Sequence, residues 1–290
     1  MIVDVKPGRY IVAVSGGVDS VCLLHLLQNQ PDLDLVVAHY DHGIRKDSAK
    51  DRLFVQKLAE SYGLPFEYEE GRLGKDASEA TARQARYYFL HKVQKNRSAE
   101  AIITAHHQDD VLETAILNML RGTGRKGLTA LKSNNDILRP LLKMPKSEIL
   151  AYAKVHNLAW REDISNQDIT YLRNYIRHKL LVRLSDEDRS KLEAIVTNLT
   201  MTNQELDELL GVLISQAGSE QLDRQWFGQL SHAMAREVLA EWLRLNDIRD
   251  FDRQTVERLV VAAKTAAAGK TFPVQAGHNM EVGKEQLLLA

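Results

Sequence analysis

A chain of 290 residues, 44% hydrophobic and 27% charged with a net charge of −1, has the balance of a globular protein long enough for two cores. Its single cysteine, Cys22, excludes an internal disulfide and any Cys-x-x-Cys metal or redox site, and no apolar run approaches the ~20 residues of a membrane span. The net charge hides an asymmetry: residues 121–183 hold 13 Lys/Arg against 5 Asp/Glu, a basic stretch in an otherwise acidic chain, as a polyanion-binding surface would be. The N-terminus lacks a signal-peptide layout, and a cytoplasmic protein with no membrane contact is expected.

In chain order, the apolar β-type run 10–14 ends abruptly at Ser15-Gly16-Gly17-Val18-Asp19-Ser20, and a helix buried on most sides follows over 19–28. A strand, a glycine loop and a helix N-terminus make an anion site, because converging N–H groups and the helix dipole both favour negative charge. The loop has neither the Gly-Lys-Ser/Thr ending of a Walker A loop nor the Gly-x-Gly-x-x-Gly of a dinucleotide fingerprint. Residues 33–39 read as a second strand. A helix over 47–62 follows, with a stripe of Leu53, Leu58 and Ala59 and Gly63 as its C-cap. A third strand is expected over 66–69, a helix over 78–95 with Ser78 as N-cap, a fourth strand over 101–105 and a helix over 109–120. This alternation predicts an α/β fold with a doubly wound parallel sheet, whose ligands bind beyond the carboxyl ends of the strands.

Polar clusters fall at three of those ends. They are the Ser15–Ser20 loop, His39-Tyr40-Asp41-His42-Gly43-Ile44-Arg45, and His106-His107-Gln108-Asp109-Asp110 with Glu113 one turn later. A phosphate loop, carboxylates and an arginine on one rim look like a nucleotide–Mg²⁺ site. The histidines suggest zinc less well, since no thiolate is near and carboxylates favour a hard cation.

The loop resembles the Ser-Gly-Gly-x-Asp-Ser loop of the PP-loop ATP pyrophosphatases. His-x-Asp-His-Gly-Ile-Arg at 39–45 and Ala-His-His-Gln-Asp-Asp-Val-Leu-Glu-Thr at 105–114 resemble signatures of the tRNA(Ile)-lysidine synthetase branch of that superfamily. So do Glu79-Ala80-x-Ala82-Arg83-x-x-Arg86-Tyr87, Arg121-Gly122-Thr123-Gly124, Arg139-Pro140-Leu141-Leu142, and Asp163-x-Ser165-Asn166 with Tyr171-x-Arg173-Asn174-x-Ile176-Arg177. The resemblance implies an adenine-nucleotide α-hydrolase-like fold and a ligase using ATP and Mg²⁺. That ligase would join free L-lysine to C2 of the wobble cytidine of a CAU-anticodon tRNA(Ile), through an adenylated cytidine.

By the same resemblance ATP falls to Ser15, Gly16, Gly17, Val18, Asp19, Ser20, Ala38, His39 and His106, and catalysis to Asp41, Arg45, Asp110 and Glu113. Mg²⁺ falls to some of Asp19, Asp41 and Asp110. Charge logic adds Arg86 for the carboxylate of lysine, and Asp110 and Glu113 for its ammonium. Arg121, Arg125, Lys126, Arg173 and Arg177 are the expected tRNA contacts, the last two with Lys179 and Arg183 along one helix.

From residue 185 the pattern turns to long helices over 186–216, 231–245 and 252–267, and then to a small β-meander around Gly277 and Gly283. The expected domains are therefore a catalytic domain over 1–185 and a helical tRNA-recognition domain over 186–290. The chain is expected to lack the additional C-terminal domain of larger family members, and a homodimer is left open. Another PP-loop reaction, such as tRNA thiolation or amide formation, and a non-catalytic nucleotide- or RNA-binding module are the alternatives.

Overall fold

The computed structural model describes residues 2–43, 48–71, 74, 78–161, 172–249, 251–275 and 277–290. The first strands and helices are β1 (Gly8–Ala13), α1 (Val18–Gln28), β2 (Leu33–Asp41), α2 (Ser48–Ser61), β3 (Phe66–Glu70), α3 (Glu79–Asn96), β4 (Ala101–Ile103) and α4 (Gln108–Leu120). Then come α5 (Arg125–Leu128), β5 (Ile137–Leu138), α6 (Lys146–Val155) and α7 (Leu172–Tyr175). The strands form a parallel sheet in the order β3-β2-β1-β4-β5. The order reverses between β1 and β4, so the crevice at that switch point lies beyond the ends of β1, β2 and β4, where the polar clusters were expected.

The strands read as continuous apolar runs because both faces are covered. Alternate residues divide between them: Tyr10, Val12, Val14, Leu35, Val37 and Ile103 pack with α1, α2 and α6. Ile11, Val36, Ala38 and Ile102 instead meet Phe89, Leu90 and Val93 of α3. Cys22 is buried in the first of these layers, and burial pushes its thiol up to about 11, so it is inert.

Elements set by local pattern stand where expected. Ser78 caps α3 by accepting from Thr81 N, and Ser231 caps its own helix by accepting from Met234 N. Two details differ. In α2 the buried positions are Val55 and Ala59, while Leu53 is half-exposed, because the apolar stripe is turned by two residues. The basic stretch 172–183 is not one uniform α-helix: α7 passes into a π-type turn over Ile176–Leu180 and a 3₁₀ turn over Leu181–Arg183.

The chain divides into two compact units, Met1–Thr197 and Asn198–Ala290, so the division falls inside α8 (Asp186–Ala217) rather than at its first residue. The second unit holds β6 (Gln221–Asp223), α9 (Arg224–Gln229), α10 (His232–Leu245), α11 (Arg253–Thr265), β7 (Lys270–Gln275), β8 (His278–Val282) and β9 (Gln286–Leu289). The expected meander is present as β7, β8 and β9. It gains a fourth antiparallel strand, β6, paired to β9. Its core gathers Leu210, Ile214, Phe227, Leu239, Trp242, Leu259 and Met280, whereas Ile195 and Leu209 of α8 stay exposed. Trp242 is fully buried and donates Nε1–H to Ser219 O at 2.9 Å. Trp242→Ala is therefore expected to cost this unit about 3–5 kcal/mol, read as a lowered urea midpoint.

Candidate active site

The loop after β1 owes its shape to its own residues. Gly16 has φ +94°, a left-handed conformation that an L side chain resists. Ser20 Oγ accepts from the backbone N–H groups of Ser15 and Gly16 at 3.2 and 3.3 Å, and donates to Gly17 O at 2.9 Å. Gly17 is the N-cap of α1 and brings no side-chain cap, which leaves the positive start of that helix open to an anion. Ser20→Ala removes the acceptor of two loop N–H groups, and nucleotide affinity is expected to fall about tenfold, measured by calorimetric titration.

The loop borders a cavity of about 460 Å³. Of the expected residues, Ser15, Gly17, Asp19, Ser20, Ala38, His39, Asp41, Arg86 and His106 line it. Gly16, Val18, Asp110, Glu113 and the expected tRNA contacts are not in its wall. His39 donates Nδ1–H to Val14 O at 2.8 Å, and burial keeps its imidazole below the usual range. Asp41 is buried and its Oδ1 accepts from Gly43 N at 2.8 Å. Burial drives His106 down to about 3, with Arg139, Arg86 and Arg83 pushing the same way against Asp110, so the ring beside Thr104 Oγ1 is neutral. Arg45 and the motif at 163–171 lie outside the described residues.

A second cluster is built on α4. Asp110 Oδ2 accepts from His107 N at 2.9 Å, across the first turn of the helix. Glu113, one turn on, is fully buried. Arg177 forks onto Glu113, with Nε to Oε1 at 2.5 Å and Nη2 to Oε2 at 2.8 Å, and its Nη2 also reaches Asp110 Oδ1 at 3.0 Å. Thus Arg177, expected to face tRNA, is turned inward onto the two carboxylates expected to face lysine, and the π-type turn carries it there. Burial pushes the Glu113 carboxyl up to about 7 despite that guanidinium. Burial also raises Asp110, but His107, His106 and Arg177 outweigh it and hold that carboxyl below its ordinary range.

The other basic residues sit elsewhere in the first unit. Arg121 is exposed after α4, Arg125 and Lys126 form the first turn of α5, and Arg173 is half-buried on α7. Asp109, in the first turn of α4, pairs with Arg189 of α8 at 2.8 Å.

Asp19 and Asp110 approach His107 Nε2 from two sides, at 3.8 and 3.5 Å, while Asp41 is engaged with the Gly43 amide. Among the described residues no three His, Cys, Asp or Glu side chains gather to hold a metal. Of the three carboxylates among which Mg²⁺ was expected, Asp19 and Asp110 are the two that share a neighbour. Two carboxylates suit Mg²⁺, which commonly takes one or two from the protein and the rest from phosphates and water.

Sequence reasoning missed Lys146 and Arg161. Lys146, the first residue of α6, donates to both oxygens of Asp19 at 2.5 and 2.7 Å. Arg161 lines the cavity, pairs with Asp51, and donates its backbone N–H to Gly16 O at 3.0 Å. Both come from more than 100 residues away, where only the fold brings them to the loop.

A parallel sheet with a phosphate loop at its switch point defines a doubly wound α/β nucleotide-binding protein. Residues 1–184 match the PP-loop domain, and the chain belongs to that family. It is similar to the tRNA(Ile)-lysidine synthase of Nitrosomonas europaea, with 37% identity over 85% of this chain and 57% of that one. Likewise it resembles that of Solibacter usitatus, at 34% over 91% and 63% of the two chains, and that of Thermus thermophilus, at 44% over 58% and 34%. The chain thus spans about 60% of the length of the first two relatives. No helix among the described residues is long and apolar enough to cross a membrane.

Proposed function

We propose that this chain joins free L-lysine to C2 of the wobble cytidine of a CAU-anticodon tRNA(Ile), consuming ATP and releasing AMP and pyrophosphate. The observation that carries the proposal is the phosphate-loop cavity with the acid pair Asp110–Glu113 set on the helix that starts at its rim. The relatives named for this reaction support it.

The cytidine O2 attacks the α-phosphorus of ATP and the bond to the β-phosphate breaks. The loop N–H groups and the start of α1 hold the departing pyrophosphate. Mg²⁺, held by Asp19 and Asp110, would supply charge neutralisation at the phosphates. Lysine binds with its carboxylate on Arg86 and its ammonium against Asp110, which Arg177 links to the buried Glu113. The ε-amine must lose a proton before it attacks C2, and Asp110 is the carboxylate beside it. The C2–O bond then breaks and AMP leaves. Arg121, Arg125, Lys126 and Arg173 hold the tRNA backbone, and Arg177 sets the two carboxylates. Such a reaction belongs in the cytoplasm, where tRNA, ATP and free lysine meet.

The test is AMP release with single omissions. AMP should form with ATP, Mg²⁺, lysine and the CAU tRNA(Ile) together, and the full rate should require both tRNA and lysine. AMP formation indifferent to the tRNA would point to another PP-loop reaction.

A further inference from the structure

Arg177 sets the two carboxylates on α4, so whatever sets Arg177 bears on both of them. The turn that carries it is of the rare π type and ends with Leu181 N donating to Ile176 O. It then tightens into the 3₁₀ turn, where Leu184 N donates to Leu181 O at 3.3 Å. That carbonyl has a second donor from outside the turn, Nη2 of Arg189 on α8, at 3.4 Å. The same guanidinium gives Nη1 to Asp109 Oδ1 at 2.8 Å, in the first turn of α4. Arg189 thus joins the end of the π-type turn to the residue before Asp110.

The contact is built into the packing. The side chains of Arg189 and Asp109 keep 24% and 19% of their exposure and lie 80 residues apart. Leu112 and Leu117 of α4 form a buried cluster with Ile176 and Leu181, and Leu184, Leu192 and Val196 pack against it. A cation close to the start of α8 opposes that helix's dipole, which Asp186, Glu187 and Asp188 suit. Arg189 is out of place for its own helix and in place for α4.

We infer that Arg189 is a positioning residue for the lysine site. By joining Leu181 O to Asp109, it keeps the π-type turn, and Arg177 with it, where Asp110 and Glu113 are both engaged. The kinetic consequence rests on the proposed lysine reading, whereas the positioning does not. The phosphate loop is shaped instead by the bonds of Ser20, so the two halves of the site should respond differently.

Arg189→Met is compared with the unaltered full chain in steady-state kinetics. KM for lysine should rise about tenfold, the weight of one charge-assisted bond, with KM for ATP held within about twofold. A residue that only stabilises the fold would lower the amount of active enzyme, and hence kcat, with KM unmoved. That result, or an equal rise in both KM values, overturns the inference. Added to Arg177→Met, the same substitution should raise KM for lysine no further, because it acts through that side chain. A second, additive rise equally overturns it. Should Arg189→Met fail to fold, Asp109→Asn keeps the side chain's shape, removes the charge that Arg189 holds, and should raise the same KM. An unchanged KM there counts against the inference in the same way.

Hydrogen exchange gives a reading without substrates. Amides of residues 176–184 should exchange faster in Arg189→Met, while those of α1 keep their protection. Unchanged exchange over 176–184 overturns the inference. If the unaltered chain shows no lysine-dependent turnover, the ligase proposal fails and the exchange result still decides the positioning. Normal turnover with neither exchange nor KM altered would leave a ligase in which Arg189 only packs.

Discussion

Asp110→Asn is expected to reduce lysine transfer by about a hundred- to a thousandfold, the scale seen when one preorganised charged or hydrogen-bonding group is removed at a reacting centre. The asparagine keeps an oxygen that can accept from His107 N at the start of α4, so the helix and its cap survive. What it loses is charge. Among the described residues, Asp110 is the carboxylate placed both beside His107 Nε2, which it shares with Asp19, and beside Glu113 through Arg177. A circular-dichroism spectrum and melting temperature close to those of the unaltered chain, together with lost transfer, give the predicted result. Near-normal transfer would remove Asp110 from the mechanism.

The second large effect is on stability and depends on pH. Arg177→Met leaves Glu113 fully buried without the guanidinium that now binds both of its oxygens. Breaking a buried ion pair by deleting one partner costs about 3–5 kcal/mol, and the lower end applies because Arg177 keeps 32% of its side-chain exposure. Glu113 titrates at about 7 in the folded chain against an ordinary 4.5. Folding therefore favours its protonated form. Its contribution to stability is complete below 4.5 and is lost as the pH rises through about 7. A neutral Glu113 has less need of Arg177. The loss on Arg177→Met should thus be larger at about pH 8 than at about pH 5, as read from urea midpoints on either side of the folded-state value of about 7. An equal loss at both pH values would mean that Arg177 acts by packing rather than by charge.

The residues show why some of this was legible in the sequence and some was not. The strand–loop–helix unit around Ser15–Ser20 is written locally: an apolar run, two glycines, and an apolar helix follow in order, and each step restricts φ and ψ without help from distant chain. The helix cap at Ser78 is local in the same sense. By contrast β5 is two residues long, and β6 three, so neither carries a period to detect. α6 was missed although it is regular, because its buried residues, Ile149 and Ala153, are too few to stand out from a polar surround.

In the site, the three clusters at strand ends were legible because a parallel sheet sends its carboxyl ends to one side. Which side chains pair was not. Lys146 reaches Asp19, Arg161 reaches Asp51, and Arg177, expected at the tRNA, turns onto Glu113, each a contact made by the fold rather than by spacing along the chain. The charge count that marked 121–183 as basic could not tell a cation facing nucleic acid from one neutralising a buried acid.

The central claim is tested most directly by mass spectrometry of the nucleosides of a CAU-anticodon tRNA(Ile) after incubation with the full chain, ATP, Mg²⁺ and isotopically labelled lysine. The account predicts a wobble cytidine heavier by one lysine less one water, with the label attached through the ε-nitrogen and absent when ATP is withheld. A wobble cytidine left unchanged, or one that has gained sulfur or another amine instead, would contradict it.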